Sequence, residues 1–236
     1  MKFDAPLIPA RLVRRYKRFL TDVELASGET FTALCPNTGS LTGCATPGSP
    51  IWLSHSSSPT RKYAHTWELV ETAPQTIVGI NTQIANRLVE EAIQDGVIVP
   101  LQGYDSVSRE VRYGSENSRI DFLLGGSHEP PCFVEVKNVT AAVSNGVALF
   151  PDAVSDRASK HLRELMLEVK RGNRAVLVFC VQRADVSEVR PADEIDPVYG
   201  ATLREAIAQG VEALAYQAEV SPLEIRLARG IPVVCH

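Results

Sequence analysis

The chain has 236 residues, of which 44% are hydrophobic and 22% are charged, and its formal net charge is −4. This composition is ordinary for a globular protein, and the length allows one large domain or two smaller ones. The slightly acidic balance argues against a wholly basic nucleic-acid-binding protein, and no run of about 18 apolar residues is present to span a membrane. The N-terminal segment lacks the order of a signal peptide, and five cysteines without a CxxC pair predict reduced thiols and a cytoplasmic location.

Residues 10–80 contain several short segments rich in β-branched and aromatic residues, separated by clusters of Asn, Gly, Pro and Ser. Such segments are typical of strands joined by turns. Several short strands within about 75 residues suit a small closed barrel, and an OB-like barrel is one of the few folds of that size. We therefore predict an N-terminal OB-like β-barrel over residues 1–80.

The same part of the chain carries the densest positive charge. Residues 1–80 hold eight Lys and Arg against six Asp and Glu, whereas the remaining residues are net acidic. The stretch RLVRRYKR has five positive charges in eight residues, which predicts either a phosphate-contacting surface or a solvated outer strand face. The candidate DNA-binding residues in this basic stretch are Arg11, Arg14, Arg15, Lys17 and Arg18.

The period of the apolar residues becomes helical after residue 80. In NTQIANRLVEEAIQDGVI, apolar residues recur at helical spacing, Asn81 or Thr82 suits the N-cap, and Gly96 ends the run. We therefore place a domain boundary near residue 80 and assign residues 81–236 to a second domain.

The second domain alternates between strand and helix patterns. Residues 119–139 predict an antiparallel hairpin with a turn rich in Gly and Pro. A helix with Ser155 as N-cap and Gly172 at C′ comes next, followed by the apolar strand 175–182, so a parallel βαβ unit is expected. The segment ATLREAIAQGVEALAYQAEV predicts a further amphipathic helix before a terminal pair of strands. The domain is therefore predicted to be α/β with a mixed sheet.

Three charged residues lie within the otherwise apolar hairpin. A loop centred near His128 places Asp121 opposite Glu135, at a Cβ separation of roughly 5 Å where two carboxylates repel each other. A proton, a cation or the neighbouring Lys137 must compensate that repulsion. Asp, thirteen residues and then Glu-x-Lys is the spacing of the PD-(D/E)xK nuclease site. The pattern predicts a site for Mg²⁺ or Mn²⁺, because these hard cations prefer carboxylate and carbonyl oxygens.

The predicted roles follow from the chemistry of each group. Asp121 and Glu135 would hold the cation together with the Val136 carbonyl, and Lys137 would orient or help to deprotonate a bound water. The three charged residues are thus the candidate catalytic residues. The alternative is an ordinary surface ion pair, worth under about 1 kcal/mol.

Residues on two neighbouring helices extend this predicted site. Glu91, on the preceding helix, is a further candidate metal ligand. Lys160 and His161, at the start of the following helix, are candidate DNA contacts in the same cleft.

Taken together, these segments resemble the sugar fermentation stimulation protein A family over essentially the whole chain. The matching stretches are FLTDVEL, CPNTGSLTGC, IWLS, RKYAHTWELV, NTQIANRLVEEAI, SRIDFLL, FVEVKNVT, LFPDAVSDRASKHLREL and AVLVFCVQ. The resemblance implies an N-terminal OB-like domain, a C-terminal PD-(D/E)xK restriction-endonuclease-like domain, DNA binding and a link to sugar utilisation, above all of maltose. The family's nuclease motif falls on Asp121, Glu135 and Lys137, whereas Ala158 stands where glycine is expected.

Two functional hypotheses remain open from the sequence. The Asp/Glu/Lys group favours a metal-dependent phosphodiesterase that acts on DNA. The acidic second domain and the family's link to sugar utilisation favour a non-catalytic DNA-binding accessory of transcription. An RNA or nucleotide phosphodiesterase is a third reading that would use the same site.

Overall fold

The computed structural model describes residues 1–72, 76–116, 118–143 and 146–235. The strands of the first domain are β1 (Ile8–Tyr16), β2 (Leu20–Glu24), β3 (Thr30–Leu34), β4 (Pro50–His55), β5 (His65–Thr72) and β6 (Thr76–Gly79).

The first five strands close into a barrel in the order β1–β2–β3–β5–β4. The neighbours are antiparallel except at the closure, where Leu34 of β3 pairs in parallel with Thr66 of β5. Apolar side chains on alternate residues fill the barrel. The largest is the fully buried Trp67, whose Nε1 donates to the Leu69 carbonyl at 2.9 Å. This strand order confirms the predicted OB-like barrel.

A short turn joins β1 to β2 at the end of the basic stretch. Lys17 and Arg18 have φ angles of 49° and 63°, in the left-handed region that residues with a Cβ seldom adopt. These angles let the chain reverse within three residues between Tyr16 and Leu20. The turn leaves both basic side chains exposed.

The helices of the second domain are α1 (Ala85–Gln94), α2 (Asp156–Lys170) and α3 (Pro197–Ala208) within the described residues. Its strands there are β7 (Ser106–Tyr113), β8 (Ser118–Gly125), β9 (Cys132–Val139), β10 (Ala142–Val143), β11 (Val147–Phe150), β12 (Arg174–Val181), β13 (Glu188–Pro191), β14 (Glu212–Val220) and β15 (Ile225–Ile231).

The central sheet of this domain has the order β15–β14–β12–β9–β8–β7. Strands β9, β12 and β14 are parallel, whereas β7, β8 and β15 pair in antiparallel fashion. α1 packs on one face, where Leu88 and Phe122 share a core. α2 and α3 pack on the other face, around Leu162 and Phe179. The predicted α/β domain with a mixed sheet is confirmed.

The helix ends match their sequence signals. Asn81 accepts a hydrogen bond from the amide of Gln83 at 2.9 Å and caps the turn that leads into α1. Ser155 accepts from the amide of Ala158 at 3.2 Å, and Gly172 follows α2 with a φ of 85°. Since β9 and β12 are parallel, the expected βαβ unit is present.

The prediction of one helix over residues 201–220 is wrong. α3 begins earlier, where Asp196 caps it by accepting from the Tyr199 amide at 2.9 Å, and ends at Ala208. Gly210 then adopts a φ of 99°, and the following residues form β14 beside β12. The Ala- and Glu-rich segment has good helix propensity, but burial beside a parallel strand overrides that weak preference.

Hydrogen bonds tie the two domains at their junction. Gln182, at the end of β12, accepts from the Gly79 amide at 2.8 Å and donates through its side chain to the Asn81 carbonyl at 3.0 Å. The Thr82 hydroxyl donates to the Pro36 carbonyl of the barrel at 2.7 Å. The junction therefore holds one defined orientation between the domains.

No described helix is long and apolar enough to cross a membrane. All five cysteines are free thiols.

Candidate active site between the two domains

The hairpin of β8 and β9 brings the candidate carboxylates together. Its ladder pairs Phe122 with Val134 and Leu124 with Cys132, which is the register that a loop centred near His128 predicts. The next residues in that register are Asp121 and Glu135, just beyond the last ladder pair.

Beyond the last ladder pair, the Asp121 side chain accepts the hydrogen bond that a backbone carbonyl of β8 would otherwise accept from β9. Its Oδ2 accepts from the Val136 amide at 2.7 Å, and its Oδ1 accepts from Asn86 Nδ2 on α1 at 2.8 Å. A carboxylate side chain thus fills the gap where the two strands separate. Asn86 is a site residue that the sequence analysis did not predict. Its position beside the apolar stripe of α1 was the one feature of the sequence that could have indicated it.

Glu135 lies at the centre of a buried polar cluster. Its side chain is 3% exposed, and its Oε1 accepts from Lys137 Nζ at 2.7 Å and contacts His161 Nδ1 on α2. Its Oε2 is buried and has no hydrogen-bond partner among the described residues. An unsatisfied buried carboxylate oxygen is costly unless a ligand completes its coordination.

His161 belongs to this cluster rather than to an exposed DNA-contacting surface. Its side chain is 7% exposed, and its Nε2 accepts from Arg157 Nε at 3.4 Å. Its Nδ1 contacts Glu135 Oε1 and also lies 3.3 Å from Lys137 Nζ, so the ring completes the cluster around that oxygen. The ring fixes one oxygen of Glu135 and leaves the other oxygen available.

The two carboxylates titrate differently. Burial and the negative charge of Glu135 raise the pKa of Asp121 to about 6. Hydrogen bonds from the Val136 amide and Asn86 and the charge of Lys137 lower that pKa but do not outweigh the increase. Burial also raises the pKa of Glu135, but Lys137 and His161 outweigh it and hold that pKa below its ordinary value. Glu135 is therefore the permanent anion, and Asp121 is the carboxylate that a further cation would keep ionised.

The oxygen atoms at this point fit a hard divalent cation. Val136 directs its amide to Asp121, and the amide and carbonyl of one strand residue point to the same neighbouring strand. Its carbonyl therefore lies on the side of the two carboxylates. No group of three or more His, Cys, Asp and Glu with metal-binding geometry occurs among the described residues, but Mg²⁺ needs only one or two carboxylates with waters.

Glu91 is not brought to this cluster. It pairs with the amino group of Met1 at 2.7 Å and with Arg87 at 2.9 Å, on the part of α1 that faces Glu224 and Leu227. Five helical residues separate Glu91 from Asn86, which turns the two side chains about 140° apart. The predicted fourth metal ligand is therefore engaged elsewhere.

A cavity of about 390 Å³ lies between the domains beside this cluster. Lys137 and Asn86 form its wall from the α/β domain, and Arg18, Asn37 and Gly39 line it from the barrel. Lys137 thus links the buried cluster to a space that both domains enclose.

The basic stretch divides into exposed and engaged side chains. Arg15 donates to the carbonyls of Arg18, Asn37 and Gly39 at 2.7–2.8 Å, so it holds the barrel loop that lines the cavity. Arg14 is 68% exposed but pairs with Asp22 at 2.8 Å.

The other predicted DNA contacts are placed as follows. Arg11 donates to the Gly48 carbonyl at 3.1 Å, and Lys160 donates to the Glu116 carbonyl. Lys17 is exposed on the β1–β2 turn. Arg18, its neighbour on that turn, is the member of the basic stretch that lines the cavity.

The chain thus joins an OB barrel to an α/β domain of the restriction-endonuclease-like fold, and Lys137 of the Asp/Glu/Lys cluster lines the cavity between them. Two family models match: the SfsA N-terminal OB domain over residues 13–80, and the sugar fermentation stimulation protein RE domain over residues 83–224. The chain belongs to the sugar fermentation stimulation protein family.

Curated relatives match along the whole length. The sugar fermentation stimulation protein homolog of Thioalkalivibrio sulfidiphilus is 61% identical and covers 99% of this chain and 98% of its own. That of Alkalilimnicola ehrlichii is 57% identical over 100% of both chains. Among solved structures, SfsA of Pyrococcus furiosus in complex with Ca²⁺ has a TM-score of 0.89, 28% identity and coverage of 99% of this chain and 98% of that one.

Proposed function

We propose that the protein binds DNA at the interdomain cavity and hydrolyses phosphodiester bonds there with a divalent cation, Mg²⁺ or Mn²⁺. One observation carries the proposal: the buried Oε2 of Glu135 has no partner among the described residues, while its Oε1 pairs with Lys137, which lines the cavity together with Arg18. The Ca²⁺ complex of the archaeal relative supports cation binding by this fold. The free thiols support a cytoplasmic location.

Asp121, Glu135 and the Val136 carbonyl would hold the cation. A cation bound there supplies charge stabilisation at the phosphate and lowers the pKa of a coordinated water. The Val136 amide and Asn86 fix the Asp121 carboxylate in position. His161 fixes one oxygen of Glu135, so that the second oxygen is free to act as a ligand.

Cations of the chain would bind the substrate phosphate. The Lys137 ammonium, 12% exposed and 2.7 Å from Glu135, lies beside the carboxylates and borders the cavity. In that position it orients the attacking water and neutralises charge on the phosphate. Arg18, on the barrel side, contacts a phosphate of the same strand, since guanidinium groups bind phosphate through paired donors.

Cleavage of labelled single- and double-stranded oligodeoxynucleotides with Mg²⁺, with Mn²⁺ and with EDTA tests the proposal. Wild type should cleave only with metal, and Glu135→Gln should not, because glutamine keeps the shape but lacks the charge that holds a cation. The exposed Glu129→Gln is the matched control and should cleave as wild type does. Equal residual activity in wild type and Glu135→Gln would identify a contaminating nuclease and refute catalysis.

A binding-only protein is the second candidate, and one contact favours it. Lys137 and His161 already satisfy Oε1 of Glu135 without a metal, as in a structural ion-pair cluster. Such a protein would serve as an accessory of transcription. DNA binding by wild type and Glu135→Gln alike, with no turnover of DNA or of an RNA oligonucleotide under any metal, would establish this candidate.

A further inference from the structure

The interdomain cavity is closed along one rim. The Leu41 amide of the barrel donates to Asp152 Oδ2 of the α/β domain at 3.2 Å. The same carboxylate packs so closely over Gly39 that a Cβ there would collide with it. The two domains are therefore in direct contact along this rim of the cavity.

The lining of the cavity is chemically divided. Lys137 and Arg18 provide two cations, which suit phosphate oxygens. Asp152, Asn138 and Asn37 provide a carboxylate and amides, which suit the polar edge of a nucleobase but not a second phosphate. The two sets of groups match the two ends of one nucleotide.

One amide in this wall lacks a partner. Asn138 accepts at Oδ1 from Gln182, but its Nδ2 is buried and makes no hydrogen bond to the described residues. Buried polar atoms without a partner are rare, and a ligand in the adjoining space is one way to satisfy them. Asn138 is one of the residues that line the cavity.

We propose that the cavity receives one unpaired nucleotide of a single DNA strand, with its phosphate at Lys137 and Arg18 and its base edge at Asp152 and Asn138. This inference rests on the proposed function and specifies its substrate as unpaired DNA. A volume of about 390 Å³ is at the lower end of single-ligand pockets, which span roughly 300–1,000 Å³. The Asp152 carboxylate accepts hydrogen bonds only, so it favours a base with an exocyclic amine, such as cytosine, over thymine.

The experiment measures fluorescence anisotropy of labelled (dC)12, (dT)12 and a blunt 12-bp duplex in EDTA, with the full chain. Wild type should bind (dC)12 about tenfold more tightly than (dT)12, and the duplex still more weakly. Asp152→Asn should abolish the preference for (dC)12, since its amide also offers a donor to thymine carbonyls. Asp156→Asn, the same charge change on an exposed residue of α2 that does not line the cavity, should keep the preference.

Each outcome decides a separate point. Equal affinity for duplex and single strands overturns the inference and leaves the proposed function standing. No binding of any oligonucleotide overturns both. A preference for (dC)12 that survives in Asp152→Asn overturns the assigned base contact. If Asp152→Asn does not melt as wild type does, the test is made with wild type and a single strand that contains 2-aminopurine. Bright emission from the bound strand shows an unstacked base and supports the pocket, whereas quenched emission refutes it.

Discussion

Replacing Asp121 with asparagine should stabilise the metal-free protein. Asparagine keeps both hydrogen bonds: its Oδ1 accepts from the Val136 amide, while its Nδ2 donates to the carbonyl oxygen of Asn86 once that amide flips. The substitution removes a buried negative charge opposite Glu135. Burial and the repulsion between these two charges are what raise the pKa of Asp121.

The magnitude and its pH dependence follow from the pKa of Asp121, which rises from 3.8 to about 6 on folding. Well below pH 3.8 the carboxyl is protonated in both states and costs nothing. As the pH rises to about 6, only the unfolded chain loses its proton freely, so wild type loses stability over this window. Above it the cost is constant at up to about 3 kcal/mol, from roughly 1.4 kcal/mol per pKa unit.

Urea unfolding of wild type and Asp121→Asn in EDTA, at intervals from pH 4 to pH 8, measures the difference. The advantage of the variant should be smallest at pH 4 and reach its plateau above about pH 6. Added Mn²⁺ should stabilise wild type much more than the variant, because ligand binding to the folded state adds to its stability. The exposed Asp95→Asn serves as control. A variant that is less stable than wild type at pH 8, or an advantage independent of pH, would refute the reasoning.

Four further substitutions test other contacts. Glu135→Gln should lower the free energy of unfolding of the metal-free protein by about 1–3 kcal/mol, opposite in sign to Asp121→Asn, because the Lys137 ammonium loses its carboxylate partner; unchanged stability in urea would contradict this. Arg15→Met should cost about 1–3 kcal/mol by leaving loop carbonyls unpaired, yet leave the salt dependence of DNA affinity unchanged; a reduced salt slope would instead reveal a phosphate contact. Gly28→Ala and Gly114→Ala both occupy left-handed positions, so each should cost about 1–2 kcal/mol. Gly114→Ala should cost about 1–3 kcal/mol more than Gly28→Ala, because the new Cβ displaces the Glu164 carboxylate that binds the amides of this turn. Equal melting temperatures of the two variants would show that Glu164 does not stabilise the turn.

Local chemistry made much of the fold predictable. The caps at Asn81 and Ser155, the βαβ unit and the barrel each follow from residue types at fixed spacings. The strand β14 was not predictable in this way, because its Ala- and Glu-rich sequence favours a helix and only its buried place beside β12 makes it a strand.

The site was predictable where it depends on strand register and not where it depends on packing between elements. The hairpin register predicts that Asp121 lies opposite Glu135, and the observed ladder has that register and ends one residue before this pair. The rotation of α1 about its own axis decides that Asn86 rather than Glu91 contacts Asp121, and that rotation depends on how the helix packs on the sheet. The burial of His161 against Glu135 is likewise a property of α2 packing.

The junction held by Gln182 limits how a strand enters and leaves the cavity. A rigid-body rotation of the barrel away from the α/β domain would break the hydrogen bonds at Gly79, Asn81 and Thr82 and the one between Leu41 and Asp152. At about 1 kcal/mol for each bond, an opened conformer lies about 4 kcal/mol higher and is occupied by about one molecule in a thousand. A DNA strand bound as proposed would therefore thread in from the open side, and its passage would depend on side chains at that opening rather than on a hinge between the domains.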